Sequence, residues 1–298
     1  MKIYRGIENI PSGRAGDTVT DGMLVLEGGG WKGLYTLGVL DAMMENDINI
    51  SSVIGVSAGA LSALGYLSGN IGWGARLDLT YRHDTRYCGL GALLREGSIT
   101  GFSYLYDVIM KKAPIDETRL YDERRSLIVT ATDLLTGRTV YFEKGKCDLK
   151  KAVQASATVP YMSRPVIIDG VPYLDGGMSE YIPYDYAKDY GKKIVVVRTK
   201  DMSHRRDTGL SSVFKMMYRK YPAFIESHRR SREEYNRIVE EIEKDSREGR
   251  IFLIAPKKPV DVKQFESDMD KLGGLYFEGY EDMKKRTGEL RRFLGMNE

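Results

Sequence analysis

Between residues 22 and 200 the chain alternates short apolar runs with longer segments whose apolar positions recur at helical spacing. "GMLVLEG" (22–28) reads as a strand and "KGLYTLGVLDAMMEND" (32–47) as the helix after it. "SSVIGV" (51–56) reads as a second strand, and "AGALSALGYLSG" (58–69) as a second helix, rich in small residues. "RSLIVTATDL" (125–134) and "GRTVYFEK" (137–144), joined through Thr136-Gly137, predict a hairpin. "DLKKAVQASATV" (148–159) predicts a helix with Asp148 as its N-cap. "PVIIDGVPYLDGG" (165–177) predicts two short strands about an Asp-Gly turn, and "KKIVVVRT" (192–199) a buried strand. Strands alternating with helices in this way predict an α/β fold: a three-layer α/β/α sandwich around a largely parallel central sheet.

Beyond residue 205 the pattern changes. Residues 211–249 are helical and heavily charged, with a break expected near Pro222. "RIFLIAP" (250–256) returns as one more strand, and a charged helix is expected over 275–294. The division expected is an N-terminal segment 1–21, a core 22–200 and a mostly helical elaboration 201–298, and the late strand favours a single domain. Residues 84–116 do not fit the alternation. They are open to two readings, a helical insertion packed on the core or a rim over an apolar pocket.

Composition narrows the function classes. The chain has 298 residues, 42% of them hydrophobic and 29% charged, with a net charge of +3. That balance suits a soluble globular protein and gives no reason to expect a nucleic-acid partner. The two cysteines, Cys88 and Cys147, are too few for a disulfide framework or a cysteine-rich zinc site and fit a reducing compartment. No signal-peptide core and no membrane-length apolar run is visible, so a cytoplasmic protein is expected, with any membrane contact peripheral. No residue cluster has metal-ligand spacing, and no cofactor is expected.

Three motifs carry chemistry. Gly55-Val56-Ser57-Ala58-Gly59 lies where a strand passes into a helix. This is the setting of a nucleophile elbow, which holds a serine exposed on a strained turn, and equally of a tight crossing with no catalytic role. Gly28-Gly29-Gly30-Trp31-Lys32-Gly33 also satisfies the dinucleotide fingerprint G-x-G-x-x-G. That reading requires an acidic residue at the end of the second strand, where Ser57 stands instead. Glycines at a helix start can alternatively aim several N–H groups at one point, as an oxyanion hole requires. Asp175-Gly176-Gly177 is either a plain turn or a base brought close to Ser57. Of three histidines, His83 and His204 lie in polar contexts, and His228 shares a helical face with Phe224, Tyr235 and Ile242. The order Ser57, Asp175, then His204 or His228 would match an α/β-hydrolase triad, but neither histidine has a recognisable motif around it.

Together these segments resemble the patatin-like phospholipase family. Its glycine-rich motif stands here as Gly28 to Gly33, its elbow as Gly55 to Gly59, a third block as Ala155-Ser156-Ala157-Thr158-Val159-Pro160, and its D-G-[GA] motif as Asp175-Gly176-Gly177. All four occur in the family's order, with Glu27 where plant members have aspartate. The chain looks like a bacterial-type member. The resemblance implies a Ser–Asp dyad acting on acyl esters of lipids, with Ser57 as nucleophile and Asp175 as base. It implies an oxyanion hole from the glycine segment (Gly28, Gly29 and Gly30, chiefly the last two) with Ala58 as a further donor. Lys32, Gly33, Gly55, Gly59, Gly176 and Gly177 would support these motifs. The expected activity is a lipid acyl hydrolase of phospholipase A or lysophospholipase type. A serine acyltransferase or a catalytically idle lipid-binding member are the alternatives. Lys32 would attract an anionic head group, pair with Glu27, or simply be exposed. Trp31 would line an acyl pocket or pack beneath the helix. The basic, aromatic stretch 215–230 would rest on a membrane surface, or be solvated on one side and packed on the other. Without a histidine, activity is expected to persist to mildly acidic pH.

Overall fold

In the computed structural model, residues 2–296 are described. We number the strands of the main sheet β1 (Thr20–Leu26), β2 (Ile50–Val56), β3 (Ser126–Asp133), β4 (Thr139–Glu143), β5 (Val166–Ile168), β6 (Val171–Asp175), β7 (Ile194–Val197) and β8 (Ile251–Ile254). The principal helices are α1 (Gly33–Glu45), α2 (Ala58–Leu67), α3 (Trp73–Tyr81), α4 (Leu149–Ser156), α5 (Ser212–Met217), α6 (Pro222–Arg247) and α7 (Met269–Leu294). The sheet runs β8-β7-β1-β2-β3-β6-β5, with β4 also on β3. From β8 to β3 all pairs are parallel, whereas β4, β6 and β5 enter through antiparallel pairs.

Strand side chains alternate between faces, so an unbroken apolar strand must be covered on both sides. Leu24 and Leu26 of β1 join Val53, Val129, Val195 and the helices α1, α2 and α7 in one core. Met23 and Val25 join Ile54, Ile128 and Val196 against Tyr235, Ile238, Val239 and Ile242 of α6 in the other. The mostly parallel sheet is therefore flanked by helices on both faces, as the patterning predicts.

Local features follow from their sequences. The hairpin pairs Ile128 with Glu143 and Thr132 with Thr139. Asp148 caps α4 by accepting from the Lys151 N–H. The Asp169-Gly170 turn has φ of 49° and 81°, left-handed at both positions, as a two-residue hairpin turn demands. Pro222 starts α6 and separates it from α5, consistent with the missing N–H of proline. The last helix begins at Met269, earlier than 275, where Asp268 accepts from the N–H groups of Asp270 and Lys271. β8 lies parallel on β7, so the late strand completes the same sheet. Residues 84–116 form short helices, Leu90–Glu96 and a run from Phe102 to Lys112 that contains a π-helical turn at Leu105–Ile109.

Candidate active site

β3 is shared in a way that brings the motifs together. β4 pairs along Ile128–Thr132, so β2, which pairs along Ser126–Thr130, occupies the opposite edge. That edge is free once β2 ends at Val56, opposite Thr130, and β6 takes it over from Ala131, which pairs with Asp175. Ser57 follows Val56 directly, so the end of β2 abuts the end of β6. The glycine-rich loop follows β1, the other neighbour of β2. The site thus lies beyond the carboxyl ends of the parallel strands, the usual place for ligands in such sheets.

Ser57 has φ 55° and ψ −118° and precedes α2. A non-glycine residue held there stores roughly 1–3 kcal/mol of strain, and its neighbours account for the local tolerance. A Cβ on Gly55 would lie 2.8 Å from the Ala60 nitrogen, one on Gly59 2.5 Å from the Leu26 carbonyl, and one on Gly33 2.9 Å from the Ala58 Cβ. Ser57 Oγ donates to Asp175 Oδ2 at 2.7 Å. Asp175 Oδ1 accepts from the Gly177 N–H at 2.8 Å, and Gly176 packs against Thr130, leaving no room for a side chain. Burial pushes the Asp175 carboxyl up to about 6, against the pull of the Ser57 hydroxyl, the Gly177 N–H and the Arg206 charge.

Gly28, Gly29, Gly30 and Ala58 line one cavity of about 680 Å³ with Ser57 and Asp175. Gly28 lies against Ser57, where its Cβ would be 3.3 Å from the serine Cβ, and Gly30 has φ 55°. Among the described residues, the N–H groups of Gly28 and Gly29 have no protein acceptor. Leu37, Leu61, Leu64, Leu77, Ile99 and Leu105 form an apolar wall. Tyr87, Cys88, Ile99, Thr100 and Leu105 of the 84–116 stretch line the cavity, so this insertion both packs on the core and walls the site. Trp31 likewise lines the cavity while packing on the core, under the Arg82 guanidinium at 4.7 Å.

Lys32 does not pair with Glu27. Its ammonium donates to the Val262 carbonyl, and Glu27 is fully buried with other partners. Glu27 accepts from the Thr199 N–H at 2.7 Å, Lys200 Nζ at 3.0 Å and the Tyr235 hydroxyl at 2.9 Å, with Arg198 3.6 Å away. Burial alone would raise its carboxyl; the Lys200 and Arg198 charges and the Thr199 N–H overcome this and hold it at about 2. Thr199 Oγ1 in turn donates to the Gly28 carbonyl at 2.9 Å. The network anchors the glycine loop to the end of β7. Its sequence signal is a carboxylate closing one apolar strand and Arg-Thr-Lys closing another, which carries meaning only once the strands are known to be neighbours.

Ser156, in the third motif block, also takes a definite place. Its Oγ accepts from the Ser57 N–H at 2.8 Å, and the Thr158 carbonyl accepts from the Asp175 N–H at 3.0 Å. That block therefore braces both ends of the Ser57–Asp175 pair. The histidines stand apart from it. His228 lines the cavity, but its Nδ1 is bonded to the Met178 carbonyl at 3.2 Å, and burial pulls it down to about 4. Burial also lowers His204, aided by the Lys200 and Arg206 charges. Neither is bonded to Ser57 or Asp175. Among the described residues no group of His, Cys, Asp and Glu is placed to hold a metal ion, and no helix is long and apolar enough to cross a membrane.

With this geometry established, the chain can be compared with known proteins. Residues 24–188 match the family described as patatin-like phospholipase, and the chain belongs to that family. Residues 221–295 match a domain of unknown function (DUF6363). The uncharacterized protein YjjU of Escherichia coli is 29% identical over 253 residues, spanning 80% of this chain and 69% of that protein. An uncharacterized NTE family protein of Mycobacterium bovis, Mb1092c, is 29% identical over 54% of this chain and 43% of its own length. The probable lipid hydrolase 463L of Invertebrate iridescent virus 6 is 27% identical over 57% of this chain and 64% of its own length. The crystal structure of VipD from Legionella pneumophila aligns over 99% of this chain and 71% of that one, with a TM-score of 0.48 and 13% identity.

Proposed function

We propose that this lipid acyl hydrolase cleaves carboxylic esters of the phospholipase A or lysophospholipase type through a Ser57–Asp175 dyad. The observation that carries the reading is the 2.7 Å bond from Ser57 Oγ to Asp175 on a strained elbow that opens into a largely apolar cavity. Ser57 Oγ attacks the ester carbonyl carbon while Asp175 takes its proton. The oxyanion that forms is held by N–H groups of Gly29 and Gly30, with Gly28 and Ala58 beside them. Collapse breaks the bond to the alcohol, which leaves with the proton from Asp175. A water then gives a proton to Asp175 and attacks the acyl carbonyl, releasing fatty acid as Ser57 recovers its proton. A carboxyl raised to about 6 suits this task better than an ordinary aspartate, because its pKa lies nearer the working pH.

The surroundings of the cavity support peripheral membrane contact. Leu90 and Leu94 are 71% and 87% exposed, and Met216 is 64% exposed on α5 beside exposed Val213 and Met217. These projections are joined through the 157–164 loop. Ile99 N–H donates to the Met162 carbonyl at 2.8 Å, and the exposed Tyr161 packs edge-on to Phe214 at 5.6 Å. Ile99, Tyr161 and Phe214 themselves line the cavity. Residues 208–225 carry Lys215, Arg219 and Lys220 and no acid. An apolar rim flanked by cations suits an anionic lipid surface. Only the first part of the 215–230 stretch belongs to this rim. Phe224 and His228 are buried, and Arg229 is paired with Glu226 and Glu233.

The test is product analysis by mass spectrometry on phospholipid and lysophospholipid vesicles. Wild type is expected to release free fatty acid, and Asp175→Asn to lose about 10²–10⁴-fold in rate, the usual range for a general base. Fatty-acid release undiminished in Ser57→Ala would overturn the reading.

A further inference from the structure

Arg206 stands in the wall of the catalytic cavity. Its backbone is clamped by Asn236 of α6, whose Oδ1 accepts from the Arg206 N–H at 2.8 Å and whose Nδ2 donates to its carbonyl at 3.0 Å. Its guanidinium lies 3.5 Å from the centre of the Tyr181 ring and 4.8 Å from that of Tyr235. Among the described residues it makes no ion pair, and its Nε is buried without a hydrogen-bond partner. Arg232 of α6 lines the same cavity and donates from Nε to the Asp207 carbonyl, again without a carboxylate partner among the described residues.

Among the described residues no acid pairs with either arginine: Asp207, beside both, accepts from Arg232 through its carbonyl and from the Gly209 N–H through Oδ1 at 3.0 Å. Glu27 is taken by Lys200, Arg198, Thr199 and Tyr235. Asp175 is bonded to Ser57 and Gly177. Asp78, the other acid lining the cavity, is bonded to the Tyr87 hydroxyl at 2.6 Å. The cations facing the cavity are Lys32, Lys200, Arg206 and Arg232. The two arginines lie on the side of the α6 aromatic residues, whereas the apolar wall of Leu37, Leu64, Leu77 and Leu105 belongs to the core under α1 and α2. Ser57 stands at the N-cap of α2 on the leucine side, and its partner Asp175 lies within reach of the Arg206 charge.

The Tyr181 and Tyr235 rings stand nearly perpendicular, at 80°, with the Arg206 guanidinium close over the Tyr181 face; a guanidinium so placed is of the kind that takes a phosphate or carboxylate through two parallel N–H bonds. With its backbone clamped by Asn236 and no ion pair among the described residues, the Arg206 guanidinium is left to meet an anion that enters the cavity it lines. We propose that Arg206 and Arg232 form the subsite for the phosphate of the substrate's head group, so that the enzyme selects phosphate-bearing acyl glycerols over neutral ones. The acyl chain would lie along the leucine wall and the phosphate against the arginines, with the scissile ester between them at Ser57. This assignment rests on the hydrolase reading for its substrate but not for its test.

The test measures binding to the full chain carrying Ser57→Ala, which does not turn over. The probes are a short-chain monoacylglycerol, the lysophosphatidic acid of the same chain, both below their aggregation threshold, and inorganic phosphate. The lysophosphatidic acid is expected to bind about tenfold or more tightly than the monoacylglycerol, as a charge-assisted pair implies. Arg206→Met and Arg232→Gln should each shrink that ratio, and Arg206→Lys should restore part of it. Inorganic phosphate should compete far more weakly than the lysophosphatidic acid. Equal affinity for the two acyl glycerols would overturn the proposal, as would a ratio that survives both substitutions. Competition by inorganic phosphate as strong as that of the lysophosphatidic acid would overturn the head-group assignment in favour of a free-anion site. Failure of the wild type to release fatty acid would instead sink the hydrolase reading, whatever the binding result.

Discussion

Asp175 carries a carboxyl raised to about 6 because it is buried, with only the Ser57 hydroxyl, the Gly177 N–H and the Arg206 charge to favour its ionised form. As the proposed base it must be ionised, so kcat/KM is expected to fall as pH drops through about 6. Arg206→Met removes a favourable positive charge and should move that midpoint upward. The range of acid tolerance expected from a free carboxylate therefore contracts, and the midpoint approaches that of an ordinary histidine. Substitution separates the two: a midpoint unchanged in His228→Gln agrees with Asp175, and loss of the acid limb in that variant contradicts it. Glu27 titrates in the opposite sense. Its folded pKa of about 2 lies below the ordinary 4.5, so its contribution is present above 4.5 and fades as pH falls toward 2. Glu27→Gln leaves Arg198 and Lys200 without their acid and is expected to cost about 3–5 kcal/mol in denaturant unfolding at pH 7. The difference from wild type should narrow below pH 4.5. A loss that stays constant down to pH 2 would mean that Glu27 is not held as a buried anion.

Among the elements, α1 and α7 are in backbone contact. A Cβ on Gly38 would lie 2.1 Å from the Tyr276 carbonyl oxygen, and one on Gly279 2.1 Å from that of Tyr35. The crossing is fastened by Tyr276 donating to Asp41 at 2.8 Å and Tyr35 donating to Asp282 at 3.1 Å. Gly279→Ala is expected to destabilise the fold by about 1–3 kcal/mol or more through overpacking, read as a lower denaturation midpoint. An unchanged midpoint would mean that the helices do not approach as closely as described. This contact shows what the sequence could and could not reveal. Apolar runs and turn residues identify β1, β2, the β3–β4 hairpin and the Asp169-Gly170 turn, because each depends on neighbours a few residues away. The turn at Ser57 and the Asp175-Gly176-Gly177 segment are visible for the same reason, as glycines adjoining strand ends, but local pattern leaves their roles open and only the family resemblance points to a pair. The glycines at 38 and 279, the bond from Ser57 to Ser156, the Glu27–Lys200 pair and the placing of Arg206 against Tyr181 and Asn236 all depend on pairings with neighbours far along the chain. Single-chain periodicity holds no record of those pairings. α7 starts at Met269 rather than 275 because Asp268, its cap, precedes the visible charged pattern.

At the scale of the whole molecule, exposed apolar side chains stand on elements joined to the loop that lines the proposed catalytic cavity. Leu94 and Met216 stand on separate elements, linked through the 157–164 loop and flanked by Lys215, Arg219 and Lys220. Folded Leu94→Asp and Met216→Asp variants, verified by circular dichroism, are expected to lose about tenfold in sedimentation with phosphatidylglycerol vesicles, and the wild type should release these vesicles as salt is raised. Equal wild-type binding to phosphatidylcholine and phosphatidylglycerol vesicles would remove the charged part of this account. Both the rim and the arginine subsite have a purpose only if Ser57 is an activated nucleophile. The most direct measurement is labelling with a fluorophosphonate probe, followed by mass mapping of the adduct in wild type and in Asp175→Asn. We expect a single adduct on Ser57, formed much more slowly in the asparagine variant. A folded protein that takes no label on Ser57, or labels equally fast without the Asp175 carboxylate, would contradict the dyad.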